Sequence, residues 1–168
     1  TGECIMYPLK GKLHFKEIFS DTLFYFEGEE KVPKIILNSG DNRFSPEART
    51  KAIKDLSADP RSPSSAMIKS VIQHYLFESS RYLFYSYGFN KKGHILILDK
   101  ESGKQTEIDS KAGIRNDFDG GPNITLKMNK DNNTVFAWIN AFELKAHVAS
   151  DEFKNSTPKY PEKKKELE

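Results

Sequence analysis

The stretch "YLFESSRYLFYSYGFNKKGHILILDKESGKQTEI", residues 75–108, decides the fold class. It consists of short runs of aromatic and branched apolar residues, separated by the polar segments "SS", "FNKKG" and "ESG". Such spacing is typical of short antiparallel strands joined by tight turns. Together with the preceding run "IKSVIQHY", it predicts a four-stranded antiparallel meander within residues 66–109. We place the following residues in its central strands: Leu83, Tyr85, Ile95 and Ile97.

The same pattern of short apolar runs separated by polar turns occurs on both sides of this stretch. Upstream are "GKLHFKEIF", "DTLFYFEG" and "KVPKIILN", with "EGEEK" as a hairpin turn, and downstream are "NITLKM", "TVFAWINA" and "FELKAHV". Three meanders in series form a repeat, and a period near 40 residues is typical of β-propellers. The sequence therefore predicts an all-β, propeller-like repeat of about three blades within residues 1–150. The blades are expected at 4–40, 66–109 and 113–149.

Two segments depart from the strand pattern. Residues 45–65 predict a short inserted helix followed by a loop, because Ser45 is a suitable N-cap and Pro46 suits the first helical position. One face of that helix would carry Ala48, Ala52, Ile53 and Leu56. Residues 151–168 are rich in Lys, Glu and Pro, and this composition indicates an exposed polar tail with a helix starting after Pro161.

Charge and composition exclude some classes of protein. The 168 residues include 26 basic and 24 acidic side chains, interspersed along most of the chain, so nucleic acid is not an expected partner. The single cysteine, Cys4, cannot form an intrachain disulfide. The sequence contains no run of eighteen or more apolar residues, so no transmembrane segment is predicted. The first residues lack the basic-then-apolar order of a signal peptide, so an export signal would lie outside this sequence.

The loop "GIRNDFDGGPN", residues 113–123, is the main candidate binding site. It contains Arg115, Asn116, Asp117 and Asp119. Asp117 and Asp119 could supply oxygen ligands to Ca²⁺, but the spacing is not that of an EF-hand and no further acidic ligand follows at the required distance. Asp and Asn also favour turns, because their side chains bond to nearby backbone groups. We therefore expect a turn rather than a metal site, and no cofactor.

No recognisable catalytic pattern is present. The histidines His14, His74, His94 and His147 fall one per run, without the spacing that holds zinc, so strand packing or solvent exposure is expected for each. Nucleophile-elbow and phosphate-loop motifs are missing, and Cys4 has no evident partner base. The aromatic runs "LFYF" and "YLFYSY" are typical of strands packed between sheets, although one face could be exposed to a ligand.

Three segments carry a resemblance to a known family: "SDTLF" at Ser20–Phe24, "ESSRYLFYSY" at Glu78–Tyr87 and "NDFDGG" at Asn116–Gly121. In the order and residue content of these segments, the chain resembles the six-bladed β-propeller family of Bacteroides-type bacteria. That family comprises mostly uncharacterised envelope lipoproteins and secreted proteins. Full-length relatives carry additional blades, so the chain resembles the C-terminal portion of one. The resemblance implies a propeller fold and a periplasmic or cell-surface location.

From these observations we expect a non-catalytic binding or scaffold module of the bacterial cell envelope. Its partner would be a protein, a peptide or a glycan held at the rim formed by Arg115, Asn116, Asp117 and Asp119. The alternative is a propeller-type hydrolase or lyase with its site at that rim. An arc of about three blades leaves apolar faces open at its ends, so a homodimer through those faces is a further expectation.

Overall fold

The computed structural model describes residues 4–167, and its fold is mainly β. Two four-stranded antiparallel sheets follow one another along the chain, each with its strands in sequence order. The first sheet contains β1 (Cys4–Leu9), β2 (Lys12–Glu17), β3 (Thr22–Glu27) and β4 (Glu30–Ile36). The second contains β5 (Ile72–Glu78), β6 (Tyr82–Phe89), β7 (Lys92–Asp99) and β8 (Gln105–Asp109). Residues 1–3 and 168, at the ends of the predicted segments 1–150 and 151–168, lie outside the described residues.

Tight turns fix the register of both sheets. Lys10 and Gly11 have φ values of 49° and 73° between the paired residues at the ends of β1 and β2, and Asn90 and Lys91 have 51° and 64° between β6 and β7. Two consecutive residues with positive φ match the right-handed twist of the flanking strands. The predicted hairpin at "EGEEK" is confirmed, since β3 and β4 join at Gly28, whose φ is 62°.

The two sheets face each other across one hydrophobic core. In the second sheet, the pairs Leu76–Tyr85 and Glu78–Leu83 place these four side chains on one face. That face packs against the first sheet, which contributes Tyr7, Leu9 and Leu23 to the core, together with Leu37 directly after β4. The predicted central-strand positions are confirmed as strand residues, and Leu83, Tyr85 and Ile95 are buried whereas Ile97 is half-buried.

The inserted helix forms where it was predicted. It is α1 (Pro46–Ala58), and the Ser45 hydroxyl accepts a hydrogen bond from the Ala48 amide at 3.2 Å. Ala52 is buried, whereas Ile53 is largely exposed. A 3₁₀ turn at Gly40–Asn42 precedes this helix, and α2 (Ser65–Ile68) follows it. The described residues contain three further short helices, α3 (Ala141–Val148), α4 (Asp151–Asn155) and α5 (Pro161–Lys165). The last of these begins at Pro161, where a helix was expected, whereas α3 and α4 were not predicted as helices.

The prediction of a third meander at residues 113–149 is wrong. That segment contains one backbone-bonded pair, Ile114 with Ile124, and a two-stranded ladder of β9 (Met128–Asn129) and β10 (Val135–Phe136). The run "FELKAHV" alternates like a strand but folds as α3. The Asn140 side chain caps this helix by accepting from the Glu143 amide at 2.9 Å, so local capping outweighs the apparent alternation.

The polar segment 151–168 was expected to be an exposed tail, but its described part packs onto the preceding loop. Phe153 is 2% exposed, and its burial anchors α4. The amides of Lys159 and Tyr160 donate to the carbonyls of Asp117 and Phe118, at 2.8 and 2.9 Å. Because two neighbouring backbone groups are paired in this way, the end of the chain and the loop 113–123 form one structural unit.

Candidate functional site

The predicted loop residues are organised mainly by turn bonding. Asp119 Oδ1 accepts from Asn116 Nδ2 at 2.7 Å and from the Gly121 amide at 2.9 Å, and Asn116 Oδ1 accepts from the Phe118 amide at 3.1 Å. Such bonds from Asx side chains to nearby backbone are those expected of a turn. Asp117 contributes its carbonyl to the contact with Lys159 and is exposed.

The same loop is closely packed against the end of the chain. A Cβ added to Gly120, whose φ is 78°, would lie 2.7 Å from the Ser156 hydroxyl oxygen, so this position requires glycine both for its backbone and for space. His147 lies close to the Gly120 carbonyl oxygen, with Nε2 at 2.9 Å. Arg115 is exposed. The four predicted residues therefore lie in one loop, and their role in binding stays a prediction.

The turn bonding predicts a difference between the two aspartates of this loop. Asp119→Ala should lower the free energy of unfolding by about 1–2 kcal/mol, because it removes the acceptor of two hydrogen bonds near the buried Gly121. Asp117→Ala is the matched control and should change it by less than about 0.5 kcal/mol, since the backbone carbonyl that bonds Lys159 is retained. Urea unfolding of both variants measures the difference. Equal losses would contradict the turn assignment.

A second group of polar residues lies between the two sheets, around Glu78 at the end of β5. Glu78 is 0% exposed, and its Oε1 accepts from the Tyr7 hydroxyl at 2.5 Å and from Lys34 Nζ at 2.8 Å. Its Oε2 accepts from Lys100 Nζ at 2.6 Å and from Lys34 Nζ at 3.0 Å. The carboxylate thus joins β1, β4 and the end of β7 through charge-assisted hydrogen bonds.

The protonation states of this cluster follow from its contacts. Burial alone would raise the pKa of Glu78, but hydrogen bonds from Lys100, Lys34 and Tyr7 outweigh it, so the pKa is lowered and Glu78 is ionised. Burial and the charge of Lys34 lower the pKa of His14, which keeps its ring neutral near pH 7. His14 Nε2 then accepts from Lys34 Nζ at 2.8 Å, and Nδ1 donates to the Lys12 carbonyl at 3.2 Å.

A cleft of about 350 Å³ adjoins this cluster, and we call it the lysine cleft. Its walls are Leu9, Lys10, Lys12, His14, Tyr25, Lys34, Ser80 and Lys100. The four lysines are opposed by two carboxylates, those of Glu78 and of Glu27, which pairs with Lys12 at 2.6 Å. Lys34 and Lys100 are each about one-fifth exposed, so their ammonium groups keep access to the cleft while Glu78 fixes their positions.

The sequence carried only a weak signal for this cluster. Glu78 ends the apolar run of β5, and Lys34 interrupts the apolar run of β4. A charged side chain within an apolar strand is a candidate for burial with a partner. The other three histidines do not join the cluster: His94 pairs with Glu107 at 2.8 Å, His147 contacts Gly120, and His74 is exposed. Within residues 4–167, no three His, Cys, Asp or Glu side chains are grouped as metal ligands would be.

Comparison with solved structures shows a similar fold in one protein of known structure. The crystal structure of a Bacteroides fragilis protein, described as a "putative exported protein", superposes with a TM-score of 0.63 at 19% sequence identity. The match covers 89% of this chain and 44% of that protein, so this chain spans less than half the length of its structural neighbour. No curated protein matches the chain. In the described part of the chain, no helix is long and apolar enough to span a membrane.

Comparison with family models gives a match over the whole sequence, residues 1–168. The matching family is described as a domain of unknown function, DUF4934. Since the match spans both sheets and the C-terminal helices, we conclude that the chain belongs to the DUF4934 family.

Proposed function

We propose that this chain is a non-catalytic binding module of the bacterial cell envelope, and that it holds a small acidic ligand, such as a sugar acid, in the lysine cleft. The observation that carries the proposal is the placement of Lys34 and Lys100 by the buried Glu78. Ammonium groups held in place by a buried partner do not have to be ordered when an anion binds, so less affinity is lost to side-chain entropy.

The size and charge of the cleft favour a small anion. Its volume of about 350 Å³ lies at the lower end of the range for small-molecule sites. The excess of ammonium groups over carboxylates attracts acids and disfavours cations. Binding is favoured over hydrolase or lyase chemistry, because both oxygens of Glu78 are already bonded and its lowered pKa opposes a role as a general acid.

The envelope location and the propeller arrangement are part of this proposal. The structural neighbour is described as a "putative exported protein", which supports a location outside the cytoplasm. It is more than twice as long as this chain, so its length leaves room for further sheets. The two four-stranded meanders would then be successive blades of a propeller. The lysine cleft would lie between these blades, since its walls come from the first sheet and from Ser80 and Lys100 in the turns of the second.

Calorimetric titration with a galacturonate trisaccharide and with its neutral galactose counterpart tests the proposal. We expect the acidic trisaccharide to bind and the neutral one to bind at least about tenfold more weakly, with the difference shrinking as salt is raised. Lys12→Met should weaken binding of the acid by about threefold to tenfold, because it removes one exposed ammonium group from the cleft.

The matched control is Lys31→Met. Lys31 belongs to the same sheet, but its ammonium lies over the rings of Phe15 and Phe24, away from the lysine cleft. The Lys31→Met variant should bind the acidic trisaccharide with the same affinity as the unmodified chain. Equal binding of both sugars, or equal effects of the two lysine substitutions, would contradict the proposal. Preference for a polyglutamate peptide over the sugar would identify an acidic peptide as the ligand.

A further inference from the structure

A larger cleft lies between the helices α1 and α2 and the edges of the two sheets. Its volume is about 670 Å³, within the range of small-molecule sites, and we call it the helix cleft. Its walls are mostly apolar, formed by Ile18, Phe19, Phe44, Leu56, Met67 and Ile72. These residues differ from those of the lysine cleft, so the helix cleft is a separate site.

One polar side chain in the wall of the helix cleft is incompletely bonded. Gln73 of β5 is 9% exposed, and its Oε1 accepts from Lys16 Nζ at 2.8 Å. Because the lysine can only donate, this bond fixes which end of the amide is the oxygen. The other end, Nε2, is buried and has no hydrogen-bond partner in the described part of the chain. A buried donor without an acceptor is unfavourable, and a ligand acceptor would remove that penalty.

The charges around Gln73 favour a negatively charged acceptor. Lys16 is 3% exposed, and burial lowers its pKa to about 8, so it is mostly protonated at neutral pH. Its positive charge strengthens the amide of Gln73 as a donor. Arg49 also lines the helix cleft, with its guanidinium 4.9 Å from the ring centre of Phe19. Among the described residues that line this cleft, none is Asp or Glu.

We propose that the helix cleft binds an apolar monocarboxylate, with its acid group accepting from Gln73 Nε2 and its hydrocarbon part lying among the apolar walls. Met67 of α2 lines the cleft, and its unbranched thioether side chain can adapt its conformation to the hydrocarbon part of the ligand. This inference goes beyond the proposed function, because it assigns a second ligand class to different residues.

Fluorescence titration with 11-(dansylamino)undecanoic acid tests this proposal on the whole chain. We expect a saturable increase in dansyl emission with one site per chain. Dodecanoate should displace the probe at a concentration about tenfold lower than dodecanol, because only the acid can accept a charge-assisted bond. Absence of saturable binding, or equal displacement by the acid and the alcohol, would overturn the proposal.

Two substitutions locate the bound probe. Gln73→Glu keeps an oxygen for Lys16 but replaces the amide donor by an acidic acceptor, so binding should fall by about tenfold or more. The matched control makes the same change at the other glutamine of the chain, the exposed Gln105 of β8, and should bind as before. Unchanged binding by Gln73→Glu would show that the acid group lies elsewhere.

Filling the cleft tests its position independently of charge. Ala52 is buried on α1 and lines the helix cleft, so Ala52→Phe should block the probe. Far-ultraviolet circular dichroism checks that the Ala52→Phe variant folds. If that variant does not fold, Met67→Trp replaces it and fills the cleft from α2. Undiminished probe binding by a folded filling variant would overturn the assignment. Binding of the galacturonate trisaccharide should persist in these variants, which separates this site from the lysine cleft.

Discussion

Replacing Glu78 by alanine is expected to lower the free energy of unfolding by about 3–5 kcal/mol. The carboxylate is fully buried and holds Lys34, Lys100 and Tyr7 by hydrogen bonds. Its removal leaves two largely buried ammonium groups without their carboxylate partner and a buried hydroxyl without its acceptor, and such groups are more costly than the lost contacts alone. Urea unfolding monitored by circular dichroism measures the change.

The matched control is Glu107→Ala on β8. Glu107 also accepts two side-chain hydrogen bonds, from Tyr87 at 2.9 Å and from His94 at 2.8 Å, but it is exposed. Water can replace those bonds, so the loss should stay below about 1 kcal/mol. If Glu78→Ala were no more harmful than Glu107→Ala, the buried cluster would not contribute to stability as its geometry indicates.

The stabilising effect of Glu78 should also depend on pH. Its pKa in the folded chain is lowered from an ordinary value near 4.5, so the folded state favours the ionised form. The advantage of the original chain over Glu78→Gln should therefore be complete above that ordinary value and decline as the pH falls through the folded-state pKa. A stability difference that grew on acidification would contradict this direction.

Replacing Leu83 by alanine is expected to lower the free energy of unfolding by about 2–5 kcal/mol. Leu83 is 0% exposed in β6 and belongs to the core shared by the two sheets. Truncation removes apolar contacts and leaves a cavity that the surrounding strands can fill only in part. The midpoint of urea unfolding should fall, and its steepness should stay the same, because the surface exposed on unfolding hardly changes.

Leu13→Ala in β2 is the control for this substitution. It deletes the same atoms from a strand residue that is 44% exposed, so the loss should be below about 1 kcal/mol. Similar losses at Leu13 and Leu83 would indicate that the face of β2 bearing Leu13 is covered in solution, as in a dimer through an open sheet face. The elution volume on a sizing column at both high and low protein concentration would distinguish that case.

Local sequence determined most of the strands and the positions of two helices, α1 and α5. The turn residues Asn90 and Lys91 lie between two runs with strand composition, so the hairpin of β6 and β7 could be predicted from adjacent residues alone. Ser45 and Pro46 likewise marked the start of α1. The prediction failed at α3, where an alternating run was read as a strand although Asn140 and Glu143 form a helix cap. Capping at that position was also a local signal.

The candidate sites depended on tertiary structure. Tyr7 and Glu78 are 71 positions apart, and Lys34 is 44 positions from Glu78. Strand periodicity tells which residues share a face of one sheet, but it does not tell which face of the second sheet lies opposite. A buried carboxylate is stable only where donors from other elements surround it. The sequence therefore determined the two meanders and α1, whereas the packing of the two sheets decided which lysines meet Glu78 and where Gln73 lies.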